Sequence, residues 1–69
     1  MNTYIAWLNG VSVAGPGRLA DVERKAREVS ASENWRRFET RTVMKITRGS
    51  RQSFVKSEVL WDRNEGGCN

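Results

Sequence analysis

The side chains best placed to do chemistry in this chain are cationic, and most of them fall in one stretch. Residues 36–63 hold Arg36, Arg37, Arg41, Lys45, Arg48, Arg51, Lys56 and Arg63 against Glu39, Glu58 and Asp62, eight bases to three acids, while the remainder holds four bases and five acids. What such a stretch offers is electrostatic attraction. It fits phosphate backbone or an acidic protein surface, and it speeds encounter by long-range steering. Phe54 falls among these cations and Trp7 lies in an apolar run near the start. An exposed aromatic beside Lys or Arg stacks on a base or anchors a protein interface. The competing explanation is plain solvation: charges occupy the wet face of any half-buried sheet, and Lys on a strand discourages edge pairing.

Catalysis finds little support. The chain has no His, which removes the commonest general base and every Ser-His or Cys-His arrangement. The single thiol, Cys68, follows Glu65-Gly66-Gly67 at the penultimate position, so it makes no internal disulfide and reads as part of a frayed tail in a reducing compartment. Without His or a second Cys a zinc or copper site is not expected, and Gly15-Pro16-Gly17 lacks the Lys and hydroxyl residue of a phosphate loop. The expectation is a protein that is not an enzyme and carries no cofactor and no metal.

At 69 residues the chain has room for one small domain, here placed at 1–63 with a flexible C-terminal tail at 64–69. A core of this size supplies only about 3–5 kcal/mol, so a partner or self-association is expected to add stability. The stretch from Met1 to Leu8 shows neither a basic leader nor an apolar run of spanning length, and a cytoplasmic protein with no membrane partner is expected.

Thr3 to Leu8 is rich in β-branched and aromatic residues and runs into Asn9-Gly10, the dipeptide that accepts the two positive φ values of a type I′ turn. Val11 to Ala14 then leads away. With a two-residue turn, Leu8 faces Val11 and Ala6 faces Val13, Tyr4 shares their side, and Ile5, Trp7, Ser12 and Ala14 take the other. The alternative is one strand followed by a loop and a short extended run. Pro16 suits a helix start, and from Arg18 to about Glu33 the apolar residues Leu19, Val22, Ala26 and Val29 form one stripe. Asp21/Lys25, Glu23/Arg27 and Arg24/Glu28 stand four apart on the wet side. This helix covers a sheet.

Phe38, Thr40, Thr42, Met44 and Ile46 alternate with polar residues, the period of a strand with one wet face. Gln52 to Trp61 reads as the returning strand. A two-residue loop at Gly49-Ser50 sets the inner pairs Met44/Val55, Thr40/Val59 and Phe38/Trp61 and the outer pairs Arg41/Glu58 and Arg37/Asp62. In that register Arg37, Arg41, Lys45 and Lys56 share the outer face, Phe54 lies opposite Lys45, and Arg48 and Arg51 flank the tip. Trp35, Phe38 and Trp61 close one end of the core. The fold expected is α+β: a small antiparallel sheet, ββαββ or βαββ, with one helix packed on one face.

Thr42-Val43-Met44-Lys45-Ile46, preceded by a short charged helix with Ala26 and Ser30 and followed by a hairpin ending in Trp61, resembles small phage-encoded anti-CRISPR proteins of type I systems over roughly residues 20–61. The resemblance implies one helix against a small antiparallel sheet and a partner in the guide-RNA-loaded surveillance complex, whose DNA-binding channel or pairing surface such inhibitors occlude in the host cytoplasm. Many of them are acidic; the basic hairpin here argues against simple DNA mimicry. No interface residue carries across from the resemblance.

Three functions follow. The first is a phage-type inhibitor that meets a crRNA-guided complex through Arg37, Arg41, Lys45, Arg48, Arg51 and Lys56, with Phe54 and Trp7. The second is a small DNA- or RNA-binding protein using the same hairpin on phosphates. The third is a self-assembling subunit that pairs through an open sheet edge.

Overall fold

The computed structural model describes residues 3–49, 51 and 53–63. The expected tail at 64–69, Cys68 and the first two residues lie outside the described residues, as do Ser50 and Gln52 at the hairpin tip. The chain runs β1 (Tyr4–Leu8), β2 (Val11–Gly17), α1 (Leu19–Ala31), α2 (Glu33–Phe38), β3 (Arg41–Arg48) and β4 (Ser53–Asp62). The four strands form one antiparallel sheet in the order β2-β1-β3-β4. The fold is therefore α+β with a small antiparallel sheet, as the alternation predicts, and it has one more helical segment than expected.

Asn9 and Gly10 turn the first hairpin with φ of 51° and 88°, both positive as a type I′ turn requires, and Leu8 pairs with Val11. The rest of that register differs from expectation. Ala6 stands opposite Ala14 rather than Val13, because the ladder shifts between Ala6 and Trp7 and again between Tyr4 and Ala6. Pro16 belongs to β2, not to the helix start. Having no N–H, it is tolerated because β2 is the edge strand. Gly15 has a φ of 98°, and a Cβ there would run into the carbonyl oxygen of Tyr4.

α1 lays its predicted stripe on the sheet. Val22 and Ala26 are buried, and Leu19 and Val29 pack at the margin of a core made of Ala6, Leu8, Met44 and Ile46. The helix rests on β2 and β1 and touches only the near side of β3. Ser32 then divides the helical run. Its backbone N–H caps α1 at the Val29 carbonyl, and its side-chain oxygen accepts from the Trp35 N–H at 3.3 Å, starting α2. The stretch expected to lead straight into a strand is thus a helical turn. Phe38, expected on the inner face beside Trp61, ends that turn and is 78% exposed.

Two tryptophans close the core end as expected. Trp35 packs against the core and donates its indole N–H to Thr42 Oγ1 at 2.8 Å, while Trp61 donates to the Ser30 carbonyl at 2.9 Å. These bonds satisfy the polar handles of the two large rings, and the first also gives the buried Thr42 hydroxyl a partner.

The second hairpin corrects the expected register. Arg41 pairs with Asp62, Thr42 with Trp61, Val43 with Val59, Met44 with Glu58, Lys45 with Ser57, Ile46 with Lys56, Thr47 with Phe54 and Arg48 with Ser53. None of the five expected pairs forms. The link between β3 and β4 spans 49–52 rather than two residues, and the register shifts twice, leaving Val55 and Leu60 as the extra residues on β4. The offset from the expected register over Lys56–Val59 is odd, so it exchanges the faces of that stretch. Lys56 and Glu58 stand on the helix side, opposite the buried Ile46 and Met44, and Val59 stands on the open side.

Candidate functional site

Polar residues on the helix side of β4 are tolerable because α1 stops short of that strand. Its rim supplies charged partners instead of a hydrophobic cover. Lys56 Nζ lies 2.9 Å from Glu23 Oε1, and Arg27 meets Glu58 through two contacts, Nη2 to Oε1 at 3.1 Å and Nη1 to Oε2 at 3.3 Å. Arg27 also lies 3.6 Å from Glu23, the one i,i+4 pair of the three expected that forms an ion pair, while Arg24 turns back to Asp21 at 3.5 Å. Hydrogen bonding from Arg27, and then its charge, lowers the Glu58 pKa below the ordinary 4.5; the same hydrogen bond raises that of Arg27. Lys56 therefore leaves the expected outer stripe. It sits on the far side of the sheet, neutralised.

Among the described residues no helix lies over the opposite face of the sheet. Along β3 the side chains that alternate with buried Thr42, Met44 and Ile46 are Arg41, Val43, Lys45 and Thr47. Trp7 of β1 stands opposite Lys45. It is half-buried, and its indole N–H donates to Thr47 Oγ1 at 2.9 Å, which explains how a threonine is buried on an uncovered face. Phe54 of β4 is 63% exposed, and Lys45 Nζ stands 6.0 Å from its ring centroid, at the outer limit of a cation–π contact. Trp7, Gly10, Lys45 and Thr47 line a shallow depression of about 260 Å³ between β1 and β3.

Four of the eight expected residues thus share the open face: Trp7, Arg41, Lys45 and Phe54. Arg41 is drawn toward Asp62, 3.9 Å away, yet keeps more than half of its side chain in solvent. Arg48 and Arg51 are exposed at the hairpin tip as expected. Arg37 is exposed on α2 instead of on the strand, so it is not part of the ribbon. Its neighbour Arg36 lies 4.7 Å from the Trp61 ring centroid, a cation–π contact on the helix side.

Asn9 is a structural determinant that the turn signal alone does not disclose. Its amide group donates to Glu39 Oε1 and to the Arg41 carbonyl, both at 2.8 Å, and its side-chain oxygen accepts from the Val43 N–H at 2.9 Å. With the backbone bond from Asn9 N–H to the Val43 carbonyl, these contacts carry the β1–β3 ladder past the end of β1 and fix where Arg41 and Val43 enter the open face.

A larger groove, about 600 Å³, runs between β2 and α1 with Val13, Ala14, Gly15, Pro16 and Val22 in its lining and Asp21 and Lys25 beside them. Among the described residues no group of three or more acids, His or Cys gathers to hold a metal ion, and no helix is long and apolar enough to cross a membrane. Comparison with protein-family models, curated proteins and solved structures finds no match.

Proposed function

We propose that the protein is a non-enzymatic binding module whose open sheet face takes single-stranded nucleic acid. The observation that carries this reading is the ammonium of Lys45 beside the exposed ring of Phe54 on a face free of helix. An exposed ring on a sheet offers a stacking platform to any unpaired base, and a neighbouring cation meets the phosphate that follows it. Arg41 extends the positive strip along β3 and Arg51 stands exposed at the tip, whereas Arg48, in register with Tyr4, falls on the helix side. A single strand fits better than a duplex, because a flat face with half-buried Trp7 and exposed Phe54 presents rings to bases that a duplex keeps stacked.

The test is fluorescence anisotropy with a labelled single strand of about 16 nucleotides, the upper end of site sizes on small sheet platforms. Binding should weaken with salt by roughly 0.7 in log affinity per log salt for each phosphate neutralised. Phe54→Ala should weaken it roughly 5- to 100-fold, the range of one lost base stack. Salt-independent binding, or a Phe54→Ala variant that binds as well as the parent, would overturn the proposal.

A second reading is favoured by the apolar side chains flanking the same cations. Val59 is 45% exposed and Val55 37%. An apolar centre rimmed by Arg and Lys also suits a protein interface. In that reading the protein is a phage-type inhibitor that docks on a crRNA-guided surveillance complex and blocks its target DNA. Its test is a mobility-shift assay of such a complex on target DNA with and without this protein.

A further inference from the structure

We infer that β4 pairs with β4 of a second copy of this chain, about a two-fold axis passing through Ser57. The inference stands apart from the ligand of the open face. Among the described residues β4 is the last strand of the sheet, so no described strand pairs with the outer side of its backbone, and the α1 footprint ends before reaching it. Such an edge is a template for another chain unless its side chains repel the newcomer.

Here the repulsion depends on register. Lys56 through Val59 keep regular pairing with β3 between the two shifts. An antiparallel copy centred on Ser57, with the axis perpendicular to the sheet, keeps each face on its own side. It sets Lys56 opposite Glu58 of the second copy, Ser57 opposite itself, and Val55 opposite Val59. Centring on Lys56 or on Glu58 instead would put like charges face to face. The strand thus admits a copy of itself centred on Ser57 and rejects the registers centred one residue to either side.

The ion pairs on the helix side reinforce this choice. Glu23 already holds Lys56 at 2.9 Å and Arg27 holds Glu58 at 3.1 Å. Across the axis these pairs line up as Arg27, Glu58, then Lys56 and Glu23 of the second copy, alternating in sign, and the row occurs twice by symmetry. Exposed Val55 and Val59 gain apolar partners in the same step. The shifts at either end confine regular pairing to a few residues. The contact therefore falls below the roughly 1,200 Å² of a standard interface, and the dimer should form only at high micromolar concentration.

Cysteine scanning tests the axis. With Cys68→Ser as background, Ser57→Cys places the two thiols directly opposite, with Cα atoms about 4.5–5.5 Å apart, within reach of a disulfide. Ser53→Cys, four residues off the axis, leaves its thiols about 27 Å apart at the rise of a strand. Mild oxidation of concentrated protein should give a covalent dimer of Ser57→Cys and none of Ser53→Cys. Both positions are exposed, and circular dichroism checks that both variants are folded. A Ser57→Cys variant that stays monomeric, or equal cross-linking at both positions, would sink the inference. In sedimentation equilibrium of protein without cysteine substitutions, the average mass should rise with concentration. Lys56→Glu should remove that rise, with circular dichroism checking that the variant, which loses its bond to Glu23, is folded; a folded variant whose mass still rises counts against the axis.

Discussion

Arg27 of α1 and Glu58 of β4, 31 residues apart in the chain, meet through two guanidinium–carboxylate contacts at 3.1 and 3.3 Å. With Glu23–Lys56, this bond ties the helix to a strand on which it does not rest. Because the Glu58 pKa is lowered on folding, its contribution to stability is complete above the ordinary carboxylate value of 4.5 and is lost as pH falls through the lowered value. Glu58→Gln should melt below the parent at neutral pH, and the gap should close in acid. Thermal denaturation followed by circular dichroism at the two pH extremes measures it; a gap that persists in strong acid would contradict the assignment.

The two lysines of the second hairpin should separate cleanly. Lys45 stands on the open face beside Phe54, whereas Lys56 is held by Glu23 on the other side of the sheet. Lys45→Ala should weaken nucleic-acid binding and reduce the salt slope by roughly 0.7, the share of one phosphate on a single strand. Lys56→Ala should leave both nearly unchanged. Anisotropy titrations at several salt concentrations decide between them.

Asn9→Gly preserves the positive φ of the turn and deletes three side-chain hydrogen bonds. Each such bond is worth about 0.5–1.5 kcal/mol net, and these are solvent-exposed, so a loss of about 1–2 kcal/mol is expected. For a core of this size that is a large fraction, and urea melts should show a clear drop in midpoint.

Two glycines with positive φ should respond differently to alanine. Gly10 has open space where a Cβ would go, so Gly10→Ala carries only the backbone penalty of about 1–2 kcal/mol. At Gly15 the added methyl meets the Tyr4 carbonyl oxygen and presses on Val22, so the strands and the helix must move. Gly15→Ala should lower the melting temperature well beyond Gly10→Ala; equal effects would show that β2 yields freely.

Most of the fold is legible in local signals. The Asn9-Gly10 turn, the Leu19–Val29 stripe and the alternation around Thr42, Met44 and Ile46 each reflect a local preference that the tertiary structure keeps. The failures share a cause. Phe38 and Thr40 continue a period of two by coincidence, while Ser32, caught between two helical segments, sets the backbone of the residues before them. Matching Val55 and Val59 to an inner face assumes a helix above that face. There the rim of α1 offers Glu23 and Arg27 instead, and no single-strand pattern reports where a helix ends sideways. The open-face cluster was half legible: Trp7, Lys45 and Phe54 fall on it as alternation implies, but the removal of Lys56 follows from the bulge.

The narrow footprint of α1 divides the molecule into unequal halves. β1 lies between two strands under the helix, and β2, though an edge strand, is covered by the same helix, whereas β4 at the other edge depends on one ladder, on long charged side chains reaching across and on the Trp61 bond to the Ser30 carbonyl. Amide protons of β4 should therefore exchange with solvent soonest among the strands, through openings that leave β1 and the centre of β3 closed. The half that carries Phe54 can then adjust its twist to whatever lies on it, while the rest of the scaffold holds its shape.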